Sequence, residues 1–126
     1  MDGTRRIRII AGPVAVHATL NDTRAAQTLW NSLPLQFRAQ SWGDELYGRA
    51  SVELEQEEPR EVVEAGDLAY WPPGHALCIF FGPTPASRTN TEIRAASEVT
   101  VLGHIEEDPA VFRAVKGGEK ISLERA

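Results

Sequence analysis

Between Gly66 and Pro83 the chain reads GDLAYWPPGHALCIFFGP, and this stretch constrains the fold more than any other. Leu68–Trp71 reads as a short aromatic strand. Pro72-Pro73-Gly74 stops it, because two prolines remove two backbone donors and the glycine permits a positive φ. Ala76–Phe81 is then a near-continuous apolar run ended by Gly82-Pro83. An apolar run this short suits a strand buried on both faces, as in a closed barrel or a sandwich. The expected unit is therefore strand, tight turn, doubly buried strand, around which the rest of the chain must pack.

The chain in order supplies the partners. Arg6–Ala11 and Val14–Leu20 read as a hairpin broken at Gly12-Pro13. Period-two alternation puts His17 opposite the core residues of its strand, facing solvent. Asn21-Asp22-Thr23 offers N-caps. Ala25, Ala26, Leu29, Trp30 and Leu33 recur at helical spacing, so Thr23–Ser32 is expected to be an amphipathic helix ended by Pro34, with Trp30 sealing one end of the core. Leu35–Gln40 is extended, and Val52–Glu55 reads as a half-exposed strand. Gln56–Arg60 is a polar connection and Thr84–Arg94 a long surface loop, a length often given to binding loops. Ser97–Ile105 is a strand. Ala110–Val115 is a short helix with Pro109 in its first turn, ended at Gly117-Gly118, and Lys120–Leu123 is a last strand.

The charge pattern narrows the function classes. A formal net charge of −5 argues against a general nucleic-acid binder or a binder of anionic membrane surfaces, both of which need a basic face. No apolar run approaches the roughly 20 residues that span a bilayer. The first ten residues carry arginines but no signal-like apolar core, so the expected location is the cytoplasm. The 126 residues are expected to form one domain, residues 1–126, without repeats or linkers. The single Cys78 allows no internal disulfide, and its place in the apolar strand makes it a buried filler. His17, His75 and His104 are far apart, and no dinucleotide, P-loop, zincin or nucleophile-elbow motif is present. No metal or other cofactor is expected. The oligomeric state is not set by the sequence.

The second informative stretch is SWGDELYG, Ser41–Gly48. Gly43 and Gly48 mark bends. Trp42, Asp44 and Leu46 share one parity, and Glu45 and Tyr47 the other, so Asp44 and Glu45 point to opposite faces. Two readings of these acids are open: both solvated in a turn, or one held in a pocket by its aromatic neighbours. Under the second, Glu45 lies beside Trp71 and fixes a ligand's polar group.

Two stretches carry a family resemblance. Val101-Leu102-Gly103-His104-Ile105-Glu106, followed by Phe112-Arg113-Ala114-Val115 and Gly118-Glu119, resembles the closing segment of cyclophilins. SWGDELYG together with GDLAYWPPGHALCIFFGPTP resembles a small prokaryotic cyclophilin-like family with an atypical cyclophilin fold. The resemblance runs from Arg6 to about Leu123. It implies a mainly β fold: a closed antiparallel β-barrel with one capping α-helix and a short second helix. Prolyl isomerases of the parent fold use a guanidinium to weaken amide resonance, against an uncatalysed barrier of about 18–20 kcal/mol, and a Gln to orient the carbonyl. Their Phe-His-Arg tripeptide is missing here, Phe37-Arg38 being the nearest fragment. Leu77-Cys78-Ile79 stands where cyclophilins place Ser-Gln.

Three functions are consistent with these residues. The first is binding of a small molecule or peptide in a cleft lined by Trp42, Glu45, Tyr47, Trp71, His75 and Phe81, where the carboxylate favours a cationic or amide-bearing ligand. The second is residual or altered prolyl isomerisation, with Arg38 or Arg49 as the guanidinium. The third is an amide- or lactam-processing role, alone or as a partner subunit. It rests on the occurrence of cyclophilin-like domains in bacterial oxoprolinase and allophanate hydrolase systems.

Overall fold

The structure is a computed structural model that describes residues 5–126. Strands β1 (Arg5–Ala11) and β2 (Val14–Leu20) form the expected hairpin, with Gly12 at φ 57°. Helix α1 (Arg24–Ser32) begins at Thr23, whose hydroxyl accepts from the Ala26 N–H at 3.1 Å. Its Ala25, Ala26 and Leu29 are buried. Trp30 packs on the edge of the core under the Arg125 guanidinium, 4.4 Å from the ring centre. Then follow β3 (Leu35–Arg38), β4 (Gln40–Ser41), β5 (Glu45–Arg49), β6 (Arg60–Val63), β7 (Asp67–Trp71), β8 (Ala76–Phe80), β9 (Ile93–Ile105) and β10 (Lys120–Arg125).

Every strand pairing is antiparallel, in the order β3-β10-β1-β2-β9-β7-β8-β5-β4, with β6 on the N-terminal half of β9. The sheet curls until its two end strands are neighbours along the chain, separated by Ala39 alone. It is not closed by a hydrogen-bonded ladder, so the closed barrel expected from the sequence is replaced by a curled open sheet. The seam is nonetheless tight. A Cβ built on Gly48 of β5 would sit 2.2 Å from the Arg38 carbonyl oxygen of β3, so only glycine fits there.

Two apolar cores divide the side chains of the central strands. The main core lies inside the curl and takes Leu68 and Tyr70 from β7, Leu77 and Ile79 from β8, and Leu46 from β5. The second lies on the outer face, where Ala69, Ala76, Cys78 and Phe80 are covered by Val63, Ile93, Ala95 and Val99 of a two-stranded β6–β9 ribbon. All five residues of β8 are buried for this reason. The apolar run at Ala76–Phe81 thus signals a doubly covered strand, and the outer cover is the ribbon.

Several boundaries differ from the sequence reading. Val52–Glu55 forms no strand, although Val52 and Leu54 are buried. The loop after Pro83 ends at Glu92, because β9 starts at Ile93 and not Ser97. The short second helix is a 3₁₀ helix over Pro109–Ala114, capped by the Asp108 carboxylate, which accepts from the Ala110 N–H. Among the described residues no helix is long and apolar enough to cross a membrane.

Candidate functional site

The structure brings four of the six sequence-nominated residues to one cavity. It is about 270 Å³, and Trp42, Glu45, Tyr47, Trp71, Ala95, Ala96 and Val99 line it. It opens where the outer face of β5 and β7 meets the ribbon. Glu45 and Tyr47 face outward while Leu46 points into the main core, as alternation requires. Trp42 joins them despite its opposite parity, because Gly43 at φ 61° turns the chain between Trp42 and Glu45. The turn is closed by a 2.9 Å bond from the Trp42 N–H to the Glu45 carbonyl. It is fastened to the end of β8 by the Asp44 N–H donating to the Pro83 carbonyl and the Phe81 N–H donating to the Asp44 carbonyl, both 2.9 Å.

Asp44 goes the other way. Its carboxylate lies against Gly82 and 3.5 Å from the Arg113 guanidinium. The two adjacent acids therefore have separate fates, and only Glu45 belongs to the cavity.

Glu45 is 6% exposed. Its register partner is Phe80, and Cys78, also buried, is the register partner of Tyr47 on the same outer face. Burial pushes the Glu45 carboxyl up to about 7, offset only in part by the neighbouring Cys78 thiol. The same burial, with the carboxylate close by, drives the thiol well above its ordinary range. Cys78 is thus an inert floor beneath the carboxyl, in keeping with its reading as a filler.

The aromatic walls are held by their own polar ends. The Trp71 indole N–H donates to the Ser97 hydroxyl at 2.7 Å, tying β7 to the ribbon. The Tyr47 hydroxyl donates to the Gln40 side-chain carbonyl at 3.1 Å. At the ribbon's far end Arg94 pairs with Glu61 of β6 at 2.8 Å and with Glu92 at 3.0 Å. The Thr84 hydroxyl donates to the Arg94 carbonyl and fixes the preceding loop.

His75 and Phe81 do not line this cavity. Phe81 shares the inward parity of Leu77 and Ile79 and packs in the main core, its ring 6.2 Å from that of Phe112. An unbroken apolar run hides parity, which is why the sequence placed it in the cleft. His75 follows the Pro72–Gly74 3₁₀ turn with φ 48°, and this left-handed step carries it to another depression with Arg49, Ser51 and Glu53. There its Nδ1 lies 3.3 Å from the Tyr70 hydroxyl. Conversely, the sequence reading missed Ala95, Ala96, Val99 and Ser97. The period-two pattern of β9 extends back to Ile93, and following it would have found Ala95, Ser97 and Val99 on one parity. Ala96 has the opposite parity, and no pattern announces it.

Other polar clusters are separate from the cavity. His104 Nδ1 lies 3.0 Å from the buried Asp67 carboxylate, which also accepts from the Glu64 N–H. His17 sits beside Glu107 on the exposed face that alternation predicted for it. Among the described residues no three His, Cys, Asp or Glu side chains converge to hold a metal.

The topology places the chain among antiparallel β proteins built on a curled cyclophilin-type sheet. The family model described as cyclophilin-like matches residues 5–124, and the chain belongs to the cyclophilin-like family. It is similar to a hypothetical protein from Archaeoglobus fulgidus whose solution structure is known. The two are 36% identical, the match covers 98% of this chain and 95% of that one, and the TM-score is 0.80. A comparison with curated proteins finds no match.

Proposed function

We propose that the cavity between β5, β7 and the ribbon binds a small ligand, with Glu45 fixing the ligand's polar group. The observation that carries this reading is the buried Glu45 carboxyl at an otherwise apolar, aromatic mouth. Among the described residues it has no salt-bridge or side-chain hydrogen-bond partner, and the Cys78 thiol is its buried neighbour on the outer face. Burying a carboxyl on such terms costs stability, and sites that tolerate the cost are enriched in function. A cavity of about 270 Å³ falls just below the roughly 300–1,000 Å³ of pockets for drug-sized ligands, so the occupant is small.

Less supports the other two functions. Prolyl isomerisation needs a guanidinium at the cleft. Arg38 instead donates to the Gly118 carbonyl at 2.8 Å, and Arg49 lines the separate His75 depression. A carboxyl with a pKa near 7 suits general acid–base chemistry, which keeps amide processing as the second reading.

The test is a titration with benzamidine and benzamide, followed by amide and indole NMR shifts. Binding at the cavity moves the signals of Trp42, Trp71 and Ala95–Val99. Glu45→Gln weakens the cationic probe by about 1.5–3 kcal/mol, the scale of a charge-assisted hydrogen bond, while Asp44→Asn leaves it unchanged. Shifts confined to other surfaces, or equal affinity in Glu45→Gln, overturn the reading.

A further inference from the structure

We propose that the natural occupant carries a methylated ammonium group, a quaternary or tertiary amine of about the size of choline, held by Trp42, Tyr47 and Trp71 with Glu45 as counter-charge. The inference rests on the reading of this cavity as a binding site and adds the class of ligand. Three aromatic side chains and one carboxyl around a small apolar space form the composition that recognises quaternary ammonium ions, because aromatic quadrupoles attract a desolvated cation.

The hydrogen-bond inventory separates this class from an ordinary amine. A primary ammonium brings three donors. Around the cavity the Trp71 indole N–H can only donate, the Tyr47 hydroxyl donates its proton to Gln40 and keeps its oxygen as an acceptor, and the ribbon contributes the apolar side chains of Ala95, Ala96 and Val99. Glu45 is the single charged acceptor among the described lining residues. A primary ammonium has the Glu45 carboxylate and the Tyr47 oxygen as side-chain acceptors, and each of its donors turned instead to the indoles, alanines or Val99 is left unmet at a desolvated wall and penalised. Methylation removes those donors and replaces them with surface that the indoles and alanines can cover. A neutral ligand of the same shape gains the covering but not the attraction to the carboxylate.

The charge requirement has a second consequence. Burial keeps Glu45 protonated to about pH 7, so a cation entering below that pH must displace the proton. No group needs to move for this: the carboxyl proton leaves to solvent as the ammonium arrives.

The experiment compares choline, ethanolamine and 3,3-dimethyl-1-butanol, the neutral carbon isostere of choline, on the parent protein at pH 8. NMR shifts at Trp42, Trp71 and Ala95–Val99 report occupancy. Choline is expected to bind about tenfold or more tightly than either competitor. Glu45→Gln should cut its advantage over the isostere to the part that the aromatic rings supply. Trp42→Leu, which keeps apolar bulk without the π system, should reduce that advantage. Calorimetry at pH 6 in two buffers of different ionisation enthalpy should register proton release on choline binding, and none in Glu45→Gln. Ethanolamine or the isostere binding as well as choline overturns the ammonium class while leaving the cavity as a binding site. Silence from all three at these signals also overturns the class, and the benzamidine and benzamide titrations then decide the cavity itself.

Discussion

Replacing Glu45 by Gln removes a titratable group without changing its shape, and the structure fixes both the sign and the size of the effect. In the unfolded chain the carboxyl titrates near 4.5, and in the folded protein near 7. Below pH 4.5 both states hold the proton and Glu45 brings no penalty. As pH rises the unfolded state releases its proton first, so stability falls between about 4.5 and about 7 and then levels off. At about 1.4 kcal/mol for each tenfold change in proton concentration, the total loss is roughly 3 kcal/mol. The Gln variant cannot ionise and escapes that loss. It should match the parent at pH 4.5 and exceed it by roughly 3 kcal/mol at pH 8, where ionised Glu45 is buried without a cation. Urea unfolding followed by tryptophan fluorescence at pH 4.5, 6 and 8 measures the difference, and taking the difference cancels every other titrating group. A gap that stays flat with pH would show that Glu45 is solvated in the folded state. It would also remove the main support for the cavity as a functional site.

The remaining predictions address the frame and the chemistry. Gly48→Ala should cost about 1–3 kcal/mol, near the upper figure because the obstacle 2.2 Å away is the Arg38 backbone, and chemical denaturation reads it directly. Thr23→Ala should cost about 1 kcal/mol by releasing the Ala26 N–H at the start of α1, whereas Thr23→Ser should keep most of it. On a chromogenic X-Pro tetrapeptide the protein should give little or no acceleration of cis-to-trans conversion, since neither Arg38 nor Arg49 lines the cavity. Activity lost on Arg38→Ala or Arg49→Ala would refute this.

What the sequence revealed and what it hid follow from the range of each signal. The hairpin at Gly12-Pro13, the capped helix and the outward turn of Glu45 are written in local periodicity and in residues with few conformational options, so they were legible. Closure of the sheet was not legible. It depends on whether β3 and β4, separated by one residue, can also exchange hydrogen bonds, and that is a question of three-dimensional spacing around the curl. The 3₁₀ turn at Pro72–Gly74 was foreseen as a break, but the left-handed φ of His75 that follows it depends on local sterics, and that single step moved His75 out of the predicted site. Phe80 and Phe81 are chemically identical neighbours, one facing the ribbon and one the interior, and only the pairing register tells them apart.

The cavity itself is a consequence of β9 exchanging one partner, β7, for another, β6, along its length. β9 is 13 residues long and pairs with β7 only from Thr100 onward, where Tyr70 faces Thr100. Its N-terminal half leaves the sheet and pairs with β6 instead, from Arg60 opposite Val99 to Val63 opposite Ile93. Two strands that diverge in this way must leave a wedge between them. Deep in the wedge, Ala69, Ala76, Cys78 and Phe80 meet Val63, Ile93, Ala95 and Val99 and close it as the second core. Towards β5 the ribbon offers small side chains, Ala95 and Ala96, while Trp71 is drawn to Ser97 by its indole N–H, so the wedge is left unfilled. Glu45 stands at that point. A Leu there would extend the second core and stabilise the fold at no electrostatic cost, by about 1.5–3 kcal/mol if fully buried. Packing alone would therefore select an apolar residue at position 45. A carboxyl in its place runs against stability at every pH above its unfolded pKa, and the proposed binding role accounts for that conflict between local chemistry and fold, because only a ligand there would offset the cost.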